Sequence, residues 1–238
     1  MPSGGTFTGN VFLRTQADIE IFGAHQYTEI VGSLKIGEPY FDTNIFDLSP
    51  LSTLTRISVP SSNPNLGTGR LRIHAPNITN LEGLNNITSL NGLAIEYCTN
   101  LEDISALSNL ETIGGTDNGW EFLSIVGNLS LESLEGLNNL ESIGELNSNI
   151  YFGLILGYNP LIENLDALSN LMAVHGIINT RVYVSCGPSC DAEIGNINLT
   201  DFCGLQNLFT NGIYGEVDIS GNAYNPTVQD IIDGNCSL

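Results

Sequence analysis

The chain has 238 residues, 42% of them hydrophobic and 13% charged, with a mean hydropathy of +0.10, enough apolar material for a long core and unlike a disordered chain. Six Lys and Arg stand against 26 Asp and Glu, for a net charge of −20. A field of that sign repels phosphate backbones and anionic headgroups, so no nucleic acid or membrane surface is expected as a partner; the plain reading of the acidity is solubility in a salty medium.

No run of about 18 apolar residues occurs, so no membrane span is expected. The opening MPSGGTFTGN lacks the basic start and apolar middle of a signal peptide. Two readings follow: an intracellular chain, or one whose signal has been removed. The cysteines favour the second, and with it an extracellular or cell-surface location.

In chain order, the first predicted element is a helix. Thr15-Gln-Ala-Asp18 is a capping-box pattern ahead of Ile19 and Phe22, with Gly23 as a stop, so Gln16 to Phe22 reads as a short helix over the first coil. Residues 15–24 then form an N-terminal cap, and residues 30–222 read as repeat coils. The repeat is plainest from Leu71 to Val174, where LRIHAPNITNLEGLNNITSL is followed by LAIEYCTNLEDISALSNLETI, LSIVGNLSLESLEGLNNLESI and LILGYNPLIENLDALSNLMAV. The last apolar residues of these phrases, Leu90, Ile113, Ile143 and Val174, are 23, 30 and 31 residues apart. Self-similarity at that period predicts a solenoid, in which each coil buries its apolar face only against its neighbours.

Each coil has three predicted parts. An L-x-I strand comes first: Leu34–Ile36, Leu71–Ile73, Leu93–Ile95, Leu123–Ile125, Leu154–Leu156, Val182–Val184 and Val217–Ile219, with both apolar side chains inward and the middle one outward. Next is an apolar ladder at every third residue, such as Leu101, Ile104, Leu107, Leu110 and Ile113, suited to 3₁₀-like turns. A returning segment follows, with Gly32, Gly92, Gly115 or Gly176 permitting a positive φ at the corner. One column, Cys98, Asn128, Asn159 and Asn222, fits the leucine-rich pattern L-x-x-L-x-L-x-x-N/C, with the Asn side chains bonding backbone groups of adjacent coils and Cys98 a structural thiol. Asn86, Asn109, Asn139, Asn170 and Asn207 form a second column. Sequons at Asn77, Asn86, Asn128, Asn198 and Asn235 are discounted, because Asn86 and Asn128 belong to columns expected to be buried.

Cys186 and Cys190 lie in a Gly-Pro loop, and Cys203 and Cys236 lie where the coils must be closed, so Cys186–Cys190 and Cys203–Cys236 are predicted disulfides. At the end, Asn225-Pro226 is the preferred N-cap and N1 order and Gly234 a stop, making 223–238 a helical C-terminal cap. The whole of 1–238 therefore reads as one mainly β domain: a right-handed β-helix or leucine-rich repeat solenoid with short helical caps at both ends.

These residues resemble the receptor L domain-like leucine-rich proteins, which include ligand-binding domains of insulin- and growth-factor-type receptors and secreted bacterial surface proteins. The resemblance covers about residues 15–236. It rests on Thr15-Gln-Ala, on the run from Tyr27 to Ile36, on the recurring GL-N-N-L-x-S-I-G phrase, and on the ending Asn225 to Cys236. It implies a right-handed β-helix without a catalytic centre and carries over no functional residues. Insertions at Pro60–Gly69, Thr116–Trp120, Glu145–Ile150 and Asn179–Asp191 depart from the simplest pattern.

No metal site or cofactor is expected. His25, His74 and His175 are scattered, and no G-x-S-x-G, phosphate loop or dinucleotide fingerprint occurs. The scarce cations are not scattered. Lys35, Arg70, Arg72 and Arg181 fall in or beside the L-x-I strands with His74, near the outward aromatics Phe122 and Tyr183 and with Trp120 in a preceding loop. These eight are the candidate ligand-binding residues, a positive island able to hold carboxylated or sulfated sugars by Arg contacts and stacking. The plainer alternative is that the cations offset neighbouring carboxylates.

The expectation is a secreted or cell-surface, non-enzymatic recognition or adhesion module binding a glycan or protein, an anionic one included, through its strand face. Two alternatives come from other classes. One is a β-helix polysaccharide-active enzyme. The other is a structural, ice-binding-like protein using the row Thr55, Thr88, Ser89, Thr112 and Ser142, which Arg56, Glu111, Glu141, Met172 and Ala173 interrupt.

Overall fold

The computed structural model describes residues 4–39, 43–59, 68–114, 122–144, 152–180, 182–184 and 192–238, with only the backbone described at 152, 182–184 and 192–194. The chain is mainly strand and passes alternately through two parallel sheets of eight strands each. The first sheet runs in the order Thr6–Thr8, Glu29–Val31, Arg56–Ser58, Ser89–Leu90, Thr112–Ile113, Ser142–Ile143, Ala173–Val174, Ile213–Tyr214. The second runs Val11–Leu13, Leu34–Gly37, Arg70–His74, Gly92–Glu96, Leu123–Val126, Phe152–Gly157, Ile177–Asn179, Val217–Asp218. One strand in each sheet makes one repeat. Register keeps like residues together: Leu34, Leu71, Leu93, Leu123 and Leu154 are paired in succession, as are Ile36, Ile73, Ile95, Ile125 and Leu156. All ten are buried and form one wall of the core.

The ladder at spacing three forms the segment joining each second-sheet strand to the next first-sheet strand. Leu101, Ile104, Leu107, Leu110 and Ile113 are all buried, and short 3₁₀ helices occupy Ser49–Leu51, Ser105–Leu107, Asp166–Leu168 and Cys203–Leu205. An Asx side chain starts each of these turns: Asp47, Asp103, Asn164 and Asp201 accept from the backbone N–H two residues on, at 2.7–3.2 Å. The glycine of the GL-N-N phrase is needed here. Gly136 has φ +111°, and a Cβ on it would lie 2.2 Å from the Ile104 carbonyl oxygen of the repeat before.

Helix α1 spans Gln16–Gly23. Its capping box is complete: the Asp18 N–H donates to Thr15 Oγ1 at 3.2 Å and the Thr15 N–H donates to Asp18 Oδ2 at 2.9 Å. Ile19 is fully buried, and Gln16 reaches across to the Phe46 and Asp47 backbone. Helix α2 spans Gln206–Asn211, continuing the last 3₁₀ turn. Helix α3 spans Val228–Ile232. The Cys203–Cys236 disulfide fastens the segment after α3 to the last repeat.

Several expectations are corrected. Val182–Val184 pairs antiparallel with Ala192–Ile194 as a separate two-stranded element, and Ile177–Asn179 takes its place in the second sheet. A short apolar alternation satisfies either partner, and the insertion supplies a local one. The N-cap of α3 is Thr227, not Asn225, because Thr227 and Asp230 form a second reciprocal capping box. Asn225 instead accepts the Asn222 N–H at 2.9 Å. Of the corner glycines, Gly32 and Gly176 have positive φ of 155° and 156°, while Gly92 lies in extended strand backbone. Asn86 is exposed rather than buried, its Nδ2 donating to Ser52 O at 2.7 Å from the surface. Gly115, Cys186 and Cys190, and most of the four insertions, lie outside the described residues.

Candidate functional site

The outer face of the second sheet carries the row Phe12, Lys35, Arg72, Ala94, Ser124 and Ile155, set by strand register. Arg70 and His74 flank Arg72 two residues either side on the same strand, so the alternation of side chains puts them on this face too. An open groove of about 270 Å³ runs along its beginning, lined by Asn10, Phe12, Ser33, Lys35, Arg70 and Arg72 among others.

Five of the eight candidate residues converge here: Lys35, Arg70, Arg72, His74 and Phe122. The Arg70 guanidinium lies 5.3 Å from the Phe122 ring centroid, and its Nε donates to Thr68 Oγ1 at 2.9 Å. The Lys35 ammonium lies 5.9 Å from the Phe12 ring centroid. Trp120 and Arg181 lie outside the described residues. Tyr183 is described only in backbone, on the separate antiparallel element rather than in this sheet.

Carboxylates share the face. Arg72 Nη2 is 2.5 Å from Glu96 Oε2, Lys35 Nζ is 3.4 Å from Glu38 Oε1, and Arg14 Nε is 3.3 Å from Glu38 Oε2. Ser124 Oγ donates to the other oxygen of Glu96 at 3.3 Å. Charge offsetting is therefore real here, though pairs this exposed contribute little energy and leave the groups able to exchange partners. His74 is only 8% exposed, with Nδ1 lacking a hydrogen-bond partner, and its ring centroid is 5.7 Å from that of Tyr97. Burial, then the Arg72 guanidinium and the Lys35 ammonium, hold its imidazole below the ordinary histidine range, with Glu96 pulling the other way.

Arg14, Glu38, Glu96, Phe12 and Tyr97 belong to this neighbourhood and were not expected in it. A signal for two of them existed. Val11-Phe12-Leu13 repeats the apolar-x-apolar pattern 23 residues before Leu34, marking one more strand with Phe12 outward and Arg14 just beyond. Glu96 and Tyr97 carry no pattern of their own. Among the described residues, no group of three or more His, Cys, Asp or Glu is placed to hold a metal ion, and no helix is long and apolar enough to cross a membrane.

The family model described as the endo-beta-N-acetylglucosaminidase EndoS LRR domain matches residues 53–222, well over half of the chain. The chain belongs to this leucine-rich repeat family. The matched span takes in the second-sheet strands from Arg70–His74 to Val217–Asp218, and therefore Arg70, Arg72, His74 and Phe122, but not Phe12 or Lys35. No curated protein and no solved structure matches the chain. A leucine-rich repeat domain fits a protein-interaction module, and the broad outer sheet is the kind of surface such modules present.

Proposed function

We propose that the chain is a right-handed β-helical solenoid acting without catalysis as an extracellular or cell-surface recognition module. Its outer sheet face binds a glycan or a protein surface, an anionic glycan foremost. The observation that carries this reading is the gathering of Lys35, Arg70 and Arg72 with the rings of Phe12 and Phe122 at one end of a single sheet in a chain of net charge −20. Bidentate guanidinium contacts suit carboxylate or sulfate groups, and ring faces suit the apolar faces of sugars. The matched family's name is that of an endoglycosidase, which supports a role beside glycan chemistry. The resemblance of about residues 15–236 to receptor L domain-like leucine-rich proteins supports ligand capture, and the Cys203–Cys236 disulfide supports an oxidising location.

The test is a glycan array run alongside an assay for soluble sugar release. Binding without release, lost in the double variant Arg70→Ala with Arg72→Ala at an unchanged melting temperature and weakened by salt, is the expected result. Sugar release by the wild type would replace this reading with that of an enzyme. Full binding by the double variant would move the site off this face.

A further inference from the structure

One turn recurs where the second sheet gives way to the ladder. At 75–78, 98–101, 128–131, 159–162 and 196–199 the N–H of the fourth residue donates to the carbonyl of the first, at 3.0–3.3 Å. The two residues at the tip are Pro76-Asn77, Thr99-Asn100, Leu129-Ser130, Pro160-Leu161 and Ile197-Asn198. Successive turns are bonded to one another. The Asn100 N–H donates to Pro76 O at 3.2 Å, Ser130 Oγ to Thr99 O at 2.9 Å, the Asn128 N–H to Asn159 Oδ1 at 3.2 Å, and Asn198 Nδ2 to Pro160 O at 2.8 Å.

The first two tips carry Asn77, Thr99 and Asn100, so the turn itself does not require an apolar side chain. The next three carry Leu129, Leu161 and Ile197, which are 37%, 41% and 61% exposed and belong to no part of the core. Among the described residues ten large apolar side chains are this exposed, and three of the ten stand on these consecutive tips. They form an apolar ridge across three repeats, which water hydrates at a cost that a covering partner would relieve.

Charge says what covers it. The residue just past each of three turns is an exposed glutamate, Glu102, Glu132 and Glu163, so a column of carboxylates runs beside the ridge. None of the three has a cation within ion-pair distance among the described residues. From residue 73 onward the sequence holds Arg181 as its one Lys or Arg against 20 carboxylates. A second copy of this chain would set like charge against like, and an anionic ligand would be repelled. A segment with basic and apolar residues side by side satisfies both rows.

We propose that the ridge Leu129, Leu161 and Ile197, with the column Glu102, Glu132 and Glu163, is a docking surface for a basic, leucine-rich or similarly apolar polypeptide segment of another protein. This site lies apart from the cationic end of the second sheet and does not depend on it. Apolar contact at the tips supplies affinity, and the carboxylates select the sign of the partner's charge.

Fluorescence anisotropy at physiological salt tests the proposal with two labelled peptides of equal length and charge, one alternating Lys and Leu, the other Lys and Ser. Attraction to the net charge alone would treat them equally. The Lys-Leu peptide is expected to bind at least about fivefold more tightly. The triple variant Leu129→Asn, Leu161→Asn and Ile197→Asn should erase that preference at an unchanged melting temperature, because these side chains are exposed and asparagine already occupies equivalent tips. Glu132→Gln with Glu163→Gln should weaken binding of the Lys-Leu peptide about two- to tenfold. Equal binding of the two peptides, a preference that survives the triple variant, or undiminished binding by the glutamine variant would overturn the proposal. Self-association of the wild type in sedimentation, abolished by the triple variant, would overturn it in favour of a second copy.

Discussion

The backbone N–H of Cys98 donates to Oδ1 of Asn128, thirty residues on and one repeat away, at 3.1 Å. The same bond recurs from Asn128 to Asn159 at 3.2 Å, from Asn159 to Asn196 and from Asn196 to Asn222 at 3.1 Å, and from Asn222 to Asn225 at 2.9 Å. Asn128, Asn159 and Asn196 also donate Nδ2 to the backbone of the preceding repeat, to Ile95 O at 3.0 Å, Ile125 O at 2.9 Å and Leu156 O at 3.2 Å. The side chain thus satisfies buried backbone groups on both sides at a corner that no sheet ladder reaches. Cys98 begins the column, accepting the Ala75 N–H on Sγ at 3.4 Å.

Replacing a ladder asparagine orphans groups in two repeats. Asn159→Ala is expected to destabilise by at least about 1–3 kcal/mol, the cost of leaving a buried donor or acceptor unmet. Asn86→Ala, whose single surface bond faces water, should cost under about 1 kcal/mol. Urea denaturation of both variants checks this, and equal losses would mean that the buried column is not structural.

Leu107 and Leu137 are fully buried between neighbouring repeats. Truncating either to Ala leaves a cavity that the stacked neighbours close only in part, for an expected loss of about 2–5 kcal/mol. A loss below about 1 kcal/mol at both, measured by thermal and chemical denaturation, would contradict the tight packing of the ladder.

The three described cysteines should differ in chemistry. Cys98 is fully buried, and burial pushes its thiol up to about 12, so the native protein should resist thiol alkylation at this residue until unfolded. Cys203 and Cys236 should appear as a crosslinked peptide in a non-reducing digest. Opening that bridge by Cys203→Ser with Cys236→Ser should cost about 2–4 kcal/mol, because it frees a loop of 33 residues in the unfolded chain. Rapid labelling of Cys98 under native conditions would contradict its burial.

His74 gives a pH dependence with a definite sign. Its folded pKa lies below the ordinary value, so near and below pH 6.5 the unfolded state binds more protons. Its contribution is complete above that pH and is lost as the pH falls through the window down to the lowered folded value. His74→Gln should therefore flatten the stability profile between about pH 7.5 and 5, read as the difference from wild type in urea midpoints. Parallel profiles would show that the imidazole titrates alike in both states.

The repeat, its inward leucines and the 3₁₀ ladder were legible in the sequence because they depend on local spacing. Apolar residues two apart make a strand wall, residues three apart make tight turns, and a period of 23 to 31 residues returns the chain to its own side. Thr15 to Asp18 was legible for the same reason, since a capping box is written in four neighbouring residues. Partner choice was not. Val182–Val184 has the strand pattern of its fellows and pairs elsewhere, Asn196 joins the corner column after an insertion that hides its phase, and Asn225 ends the ladder while Thr227 caps the helix. The cationic cluster shows the same division. Lys35, Arg70 and Arg72 could be placed on one face by alternation alone, but only the stacking of repeats brings Arg14 and Glu38 to Lys35, Glu96 to Arg72, and Tyr97 to His74. Contacts between repeats depend on the register of strands about 22 to 40 residues apart in the chain, and that register is set by the packing of the whole stack rather than by any one segment.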